Sequence, residues 1–382
     1  MQKTYNLEFT EQEIREAVAA NQLLSMEIEF SRVCNFRCSY CYVEGQETWK
    51  DELSREEIND VILQAKALGA RKIIILGGEP SIYPHLPEML RFLGQEGLEI
   101  EMFTNGSGIT QELADVLARE KVRVALKLNS QNEALQDKLA GKKGAYQAIQ
   151  RALACLRKAG YPGKDRYLAM STIICRQNIE ELPAIWQWLR EQDIEPLFEV
   201  LTPQANASEN TWLGVSPESL KTLFSRLAAL DREKFGRDWE PQPPLVGNRC
   251  MRHQVSCLVT SNGDVMPCVG VTIPLGNIRN TSLADILHNS EEIKNLKNYR
   301  ETIKGACRTC EKARQGLIFS AVLSLPGQSF HCFAGVRAND LEAVPLGNLL
   351  QGRDCPGIPD HLQGLDHGTA YHPERVLRQG FQ

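Results

Sequence analysis

The chain has 382 residues, ordinary apolar and charged fractions and a net charge of −5; that is long enough to bury a large core in two or three domains, and too weakly charged to draw nucleic acid or an anionic membrane. No apolar stretch approaches the ~20 residues a bilayer span needs, and the mixed, charged stretch from Met1 to Ala20 does not read as a secretory signal. Twelve cysteines in such a chain point to a reducing, cytoplasmic setting and to metal ligation rather than disulfides.

Thr10, with Glu13 three residues on, is a capping-box pattern and predicts a short amphipathic helix to Ala20. Leu24 to Phe30 alternates apolar and polar residues, as a strand with one buried face does. The loop leaving that strand carries Cys34-Asn-Phe-Arg-Cys38-Ser-Tyr-Cys41, a C-x3-C-x2-C spacing. Three thiolates this close suit one iron–sulfur cluster or a soft metal. A four-iron cluster needs four ligands, so three leave one iron open, as a catalytic metal site does. A zinc knuckle is the alternative, although no fourth close ligand follows.

A helix is predicted from Ser54 to Leu68, capped by Ser54 and Glu57 and ended by Gly69. Lys72 to Leu76 reads as a strand buried on both faces. It ends in Gly77-Gly78-Glu79-Pro80, where two glycines let the backbone turn and approach a ligand closely. A helix (Leu86 to Gln95) and a strand (Leu98 to Phe103) lead to the turn Thr104-Asn105-Gly106. Helix Gln111 to Ala118 precedes strand Val122 to Leu128, after which come Asn129 and Ser130. Helix Gly144 to Ala159, strand Leu168 to Cys175, helix Ile179 to Glu191 and strand Ile194 to Leu201 complete the pattern. Six strands, each but the last followed by a helix, imply right-handed β-α units on a parallel sheet. Six units are too few to close an eight-stranded barrel. Every motif falls at the C-terminal end of a strand, where such sheets bind ligands.

Cys34, Cys38 and Cys41, with Tyr40 before the last cysteine and with Gly77-Gly78-Glu79-Pro80 one β-α unit later, resemble the signature of the radical S-adenosylmethionine superfamily. The resemblance implies an α/β fold, a partial (β/α)6 TIM-like barrel. It also implies a [4Fe–4S] cluster on the three cysteines, whose open iron is chelated by the methionine end of S-adenosyl-L-methionine. Reductive cleavage would give a 5′-deoxyadenosyl radical that abstracts a substrate hydrogen, with electrons from a donor such as flavodoxin or ferredoxin. On this reading Gly77 to Pro80 face the methionine amino group, and Thr104 and Asn105 form a further cofactor-facing turn. Relatives carry Ser and Asp after the fourth strand; here Lys127-Leu-Asn129-Ser130 stands there, so Asn129 or Ser130 would meet the ribose and Lys127 a carboxylate. Ser171, Thr172 and Glu199 are further candidates for the barrel mouth.

Beyond the linker Trp239-Glu-Pro-Gln-Pro-Pro244 the pattern changes. Cys250 and Cys257 precede a hairpin with a type I′ signal at Asn262-Gly263, and Cys268 follows it. Cys307 and Cys310 add a C-x2-C pair, so a four-thiolate site is predicted, for zinc or a second cluster. The arrangement resembles the SPASM/Twitch extension of the same superfamily: Cys250, Gly263 and Cys268 fit C-x(9–15)-G-x4-C. Gly316 and Ser320 stand where its last two cysteines would be. One auxiliary [4Fe–4S] cluster is therefore expected, on Cys268, Cys307, Cys310 and either Cys250 or Cys257, with Cys332 a further candidate. Cys155 and Cys175 sit in apolar contexts and read as core. The expected layout is an N-terminal helical segment (1–23), the barrel (24–238), the cysteine-rich unit (239–314) and an irregular tail (315–382). The expected activity is hydrogen abstraction from a peptide or small molecule, in peptide modification or cofactor maturation. A non-catalytic iron–sulfur or zinc scaffold on the same fold is the alternative.

Overall fold

The computed structural model describes residues 9–43, 45, 50–202, 204–239, 241, 252–271 and 273–297, and the backbone of two short strands at 318–319 and 333–334. Helix α1 (Glu11–Ala20) starts at the Thr10–Glu13 capping box. Then come β1 (Ser25–Glu29), α2 (Arg55–Ala67), β2 (Lys72–Leu76), α3 (Leu86–Gln95), β3 (Glu99–Thr104), α4 (Gln111–Arg119) and β4 (Arg123–Lys127). The chain continues through α5 (Glu133–Ala140), α6 (Ala145–Lys158), β5 (Leu168–Ile174), α7 (Leu182–Glu191), β6 (Glu195–Val200), α8 (Asn206–Glu209) and α9 (Pro217–Phe235). The C-terminal elements are α10 (Arg252–Val255), β7 (Ser256–Val259), β8 (Asp264–Met266), β9 (Gly276–Asn277), α11 (Leu283–Asn289) and α12 (Glu291–Lys297), with β10 (Ile318–Phe319) antiparallel to β11 (Phe333–Ala334).

Strands β1 to β6 pair in sequence order, all parallel, as the alternating pattern requires. The strand side chains divide by face. Met26, Ile28, Ile73, Ile75, Ile100, Met102, Val124, Leu126 and Met170 pack under the helices in one core with Ile58, Val61, Ile62, Leu90, Leu117, Leu153 and Leu189. Each such side chain contributes about 1.5–3 kcal/mol on burial. The alternate residues turn inward, and many are polar: Glu27, Glu29, Lys72, Glu101 and Ser171 are buried there beside the apolar Ile74, Ala125 and Ala169. Lys72 and Glu101 form an ion pair there.

The expectation of a helix after every strand but the last falls short by one: β6 is followed by the 19-residue α9. Its signals are present in the sequence: the Ser216 cap, Pro217 at its start, Leu220, Leu223, Phe224 and Leu227 at helical spacing, and Gly236 at its end. Asp231 of α9 is fully buried and accepts from Trp186 Nε1 (2.7 Å), Arg190 Nη2 (3.0 Å) and Trp239 Nε1 (2.9 Å), which seats α9 on α7 and fixes the start of the linker.

The hairpin β7–β8 forms as expected, but its turn differs. Positive φ is confined to Gly263 (+87°), and the Gly263 N–H bonds the Thr260 carbonyl (2.9 Å). This is a turn closed by a glycine bulge, whereas type I′ needs two residues at positive φ. Strand β7 also pairs in parallel with β1, so the hairpin and β9 extend the barrel sheet in the order β6-β5-β4-β3-β2-β1-β7-β8-β9.

Arg279, after β9, reaches back to α2 and bonds both oxygens of Glu57 (2.7 and 3.1 Å). That guanidinium, with the Ser54 N–H, lowers the Glu57 carboxyl from 4.5 to about 2. A depressed carboxyl contributes stability above its unfolded value that is lost as pH falls through the folded one. Wild type and Glu57→Gln are therefore expected to differ in urea midpoint near neutrality and to converge as pH falls from about 5 toward about 2.

Candidate functional site

The site is built where β1 and β2 end. Leaving β1, Ser31 to Val33 run beside the Gly-Gly turn: Gly78 N–H donates to the Ser31 carbonyl (2.7 Å) and Glu79 N–H to the Val33 carbonyl (2.9 Å). A Cβ on Gly77 would overlap the Ser31 carbonyl, and one on Gly78 the Val33 carbonyl, both inside 3.0 Å. The glycines are thus required by the approach of the cysteine loop itself, a protein neighbour that sequence reasoning did not supply. Gly77 also sits at φ +118°, where L side chains are strained.

The Glu79 side chain is buried and ties three turns together. It accepts from Ser81 N–H (2.8 Å), Asn105 N–H (2.6 Å) and the Thr104 hydroxyl. Burial pushes its carboxyl up against those donors. With the carboxylate so occupied, the Gly77–Pro80 turn offers its backbone to a ligand. Pro80 begins a short 3₁₀ turn to Ile82. Asn105 points its side-chain amide at Asn35 Oδ1 (3.2 Å) and lies 4.0 Å from the Cys34 sulfur.

Cys34, Cys38 and Cys41 are each half-buried on this loop. Burial raises the Cys34 thiol to about 11, the Cys38 thiol to about 12, and the Cys41 thiol in the same direction. Each thiol is also raised by neighbouring charge: Cys34 by Glu79 and Cys41, Cys38 by Cys41 and Cys34, and Cys41 by Glu29. Loading a metal here must displace protons, because the thiolate is the ligand. Among the described residues no three Cys, His, Asp or Glu side chains close on a single ion. Cluster cysteines bind separate irons and need not converge on one point. The Tyr40 hydroxyl faces the Cys38 thiol.

The loop is pinned by elements absent from the expected pattern. Arg37 and Ser39 donate their N–H groups to the Ala140 (3.1 Å) and Leu139 (3.0 Å) carbonyls at the end of α5. Asn206 and Asn210 side chains bond the Cys38 (3.1 Å) and Ser39 (3.1 Å) carbonyls. Gly141 caps α5 at φ +58°, and a Cβ there would overlap the Arg37 carbonyl. Gly141→Ala is therefore expected to lower stability by about 3 kcal/mol and to loosen the cysteine loop, read as a fall in denaturant midpoint and in iron retained after reconstitution.

At the ends of β4 to β6, Lys127 Nζ donates to Ser171 Oγ (2.8 Å), which donates to Glu199 (2.9 Å). Lys127 lies 5.5 Å from the Tyr40 ring centroid, and its charge lowers Cys38 and Cys41 against the effect of burial. Asn129 and Ser130 are fully buried. Asn129 Oδ1 accepts from Ile173 N–H (2.8 Å), and Ser130 Oγ accepts from Asn132 N–H (2.9 Å) at the start of α5. Asn129 keeps a buried side-chain Nδ2 without a hydrogen-bond partner among the described residues, whereas Ser130 is built into the frame behind Tyr40. Thr172 likewise turns its hydroxyl to the Leu128 carbonyl (2.6 Å). The buried Gln136 of α5 and Asn178, which complete this frame, were not singled out by sequence reasoning; the Asn in the turn after β5 is the one local signal.

The second thiol group needs one correction. Cys257 is fully buried in β7, opposite Met26 of β1 and inside the main core, and burial raises its thiol to about 12. It is a packing residue there, which disfavours it as the fourth thiolate. Cys268 is half-buried just past β8, in a bridge to Val271. Cys250, Cys307, Cys310 and Cys332 lie outside the described residues. Cys175 is buried and Cys155 packs half-buried against the core, as expected.

Comparison with known proteins agrees with this geometry. Residues 28–189 match the radical SAM superfamily, and residues 250–311 match the SPASM iron–sulfur cluster-binding domain. The chain is similar to mycofactocin maturase MftC of Mycolicibacterium smegmatis (26% identical, covering 89% of this chain and 88% of that one). It is also similar to the AdoMet-dependent heme synthase of Methanosarcina barkeri (25% identical, 74% of this chain and 87% of that one). Among solved structures, Streptococcus suis SuiB bound to precursor peptide SuiA has the same fold (TM-score 0.61, 17% identity, 78% of this chain and 73% of that one). So does anSMEcpe with bound AdoMet (TM-score 0.57, 18% identity, 76% and 87%). No helix among the described residues is long and apolar enough to cross a membrane.

Proposed function

Because the chain is a radical SAM enzyme with a C-terminal iron–sulfur cluster-binding domain, we propose that Cys34, Cys38 and Cys41 hold the cluster that opens S-adenosylmethionine. The supporting observation is the donor set: three soft sulfurs on one loop, half-buried, locked against the Gly77–Pro80 backbone and the Asn105 amide. Such sulfurs suit an iron–sulfur cluster with three protein ligands. When bound, the cluster and S-adenosylmethionine supply one-electron reduction and a 5′-deoxyadenosyl radical that takes a hydrogen atom from substrate.

The chain's own residues do the rest. Cys34 to Cys41 stay fixed through α5 and α8, so the thiolates meet the metal without rearrangement. The backbone of Gly77 to Pro80 receives the amino group of the methionine moiety, and Thr104 and Asn105 hold that turn in place. Lys127 receives a carboxylate, being a cation whose ammonium is only partly paired, 3.8 Å from Glu199. Tyr40 and Ser130 back the cluster loop, and Asn129, whose buried side-chain Nδ2 has no protein partner among the described residues, meets the ribose. Cys250, Cys268, Cys307 and Cys310 hold one auxiliary [4Fe–4S] cluster, and flavodoxin or ferredoxin supplies electrons in a cytoplasmic setting.

The substrate we favour is a peptide. The supporting observation is that MftC, a maturase, matches across nearly the whole of both chains, with SuiB and anSMEcpe, each seen with a peptide, sharing the fold. The heme synthase relative makes a tetrapyrrole the second reading. The test is anaerobic reconstitution, reduction and assay for 5′-deoxyadenosine. About eight irons per chain and S-adenosylmethionine cleavage, stimulated by a precursor peptide and not by iron-coproporphyrin, support the proposal. A fully iron-loaded protein that leaves S-adenosylmethionine intact would identify a scaffold or electron carrier instead.

A further inference from the structure

Arg279 makes four hydrogen bonds across the junction between the C-terminal elements and the barrel. Two go to the Glu57 carboxylate (2.7 and 3.1 Å), and one each to the backbone carbonyls of Asp51 and Glu52 (both 3.0 Å). The segment it grips is irregular backbone between the cysteine loop and α2. Asp51 sits at φ +50°, unusual for a residue with a side chain. On its other side, residues 50–56 border a groove of about 590 Å3 shared with Phe30, Tyr83, Pro84 and His85, and Leu53 is the side chain of this stretch that is seated in the main core.

That segment leads straight to the cysteine loop. The Glu52 carboxylate accepts from Arg32 N–H (2.7 Å) and from the Ser31 hydroxyl (3.2 Å). Ser31 Oγ in turn accepts from Val33 N–H (2.9 Å), one residue before Cys34. A second grip runs parallel: Leu53 N–H donates to the Ser261 carbonyl (2.7 Å) of the β7–β8 turn, and Ser261 N–H donates to Glu29 (3.2 Å). An ion pair as exposed as Arg279–Glu57 adds little stability alone. A planar guanidinium tied to one carboxylate and two main-chain carbonyls instead fixes geometry, which a lysine ammonium cannot reproduce.

We propose that Arg279 is a positioning residue: through residues 51–57 and Glu52 it sets the cysteine loop, so that seating of the C-terminal unit orders the loop bearing Cys34. The proposal deepens the reading above and rests on it only for its catalytic arm. Hydrogen exchange on the anaerobic, cluster-loaded enzyme tests it, with wild type, Arg279→Gln, Arg279→Lys and Glu52→Gln. Arg279→Gln is expected to speed exchange about tenfold both at 51–57 and at 31–38, with Arg279→Lys intermediate. Glu52→Gln is expected to loosen 31–38 but not 51–57, and adding it to Arg279→Gln should change 31–38 no further. In the catalytic arm, KM for S-adenosylmethionine should rise about threefold or more with kcat nearly unchanged. If Arg279→Gln loosens only 51–57 and the turn at 277–283, or if its effect at 31–38 adds in full to that of Glu52→Gln, the relay does not exist. Exchange reads this outcome even in a protein that fails to cleave S-adenosylmethionine, so the two proposals fail separately.

Discussion

Cys34→Ala, Cys38→Ala and Cys41→Ala are each expected to abolish formation of 5′-deoxyadenosine and to remove about four irons per chain, while the auxiliary cluster stays loaded. The reason is the count of donors. Three sulfurs on one loop leave no spare sulfur ligand, and the neighbouring Glu79 carboxylate is already held by Ser81, Thr104 and Asn105. Fold should survive, because Cys34 and Cys38 pack only at the margin of small apolar clusters around Phe36 and Tyr40. Iron analysis and electron paramagnetic resonance of the reduced variants separate loss of one cluster from loss of both. Retention of wild-type cleavage in any of the three would remove that cysteine from the site.

Gly78→Ala is the second large effect. Its φ is not in the left-handed region, so the cost is steric alone: the added methyl meets the Val33 carbonyl and the Arg32 carbonyl carbon, both inside 3.0 Å. Backbone atoms cannot rotate aside as a side chain can. Either the loop retreats and loses the Gly78–Ser31 and Glu79–Val33 hydrogen bonds, or β2 shifts; a loss of about 3 kcal/mol is expected. Gly97→Ala is the control. Gly97 has φ +71° but nothing within 4 Å of a new Cβ, so about 1 kcal/mol of backbone strain is expected with no change in iron content or S-adenosylmethionine cleavage. Denaturant unfolding and iron content on the two variants check both halves. Equal losses would mean that the close approach of turn and loop does not matter.

The barrel was legible because its signals are local. Alternating strands and capped helices, such as Ser54 with Glu57, repeat at a period that only a parallel sheet satisfies. The cysteine loop and the Gly-Gly turn were legible as chemistry for the same reason. What holds them was not. Ala140 and Leu139 matter through carbonyl groups, Asn206 and Asn210 through contacts some 170 residues away in sequence, and Gly141 through a neighbour that no window of sequence contains. Cys257 illustrates the opposite error. Its spacing from Cys268 invites a shared metal, but its parallel pairing with Met26 turns it into the core, and pairing between distant strands is not encoded in spacing.

The parallel union of β7 with β1 limits how this chain can be taken apart. A fragment ending near residue 238 would retain all six β-α units, yet its first strand would present a bare edge of main-chain donors and acceptors beside the cysteine loop. Unprotected edges of that kind recruit strands from other molecules. The C-terminal region therefore acts as a selvedge for the catalytic sheet, and the isolated barrel is expected to self-associate rather than to survive as a smaller, self-sufficient enzyme.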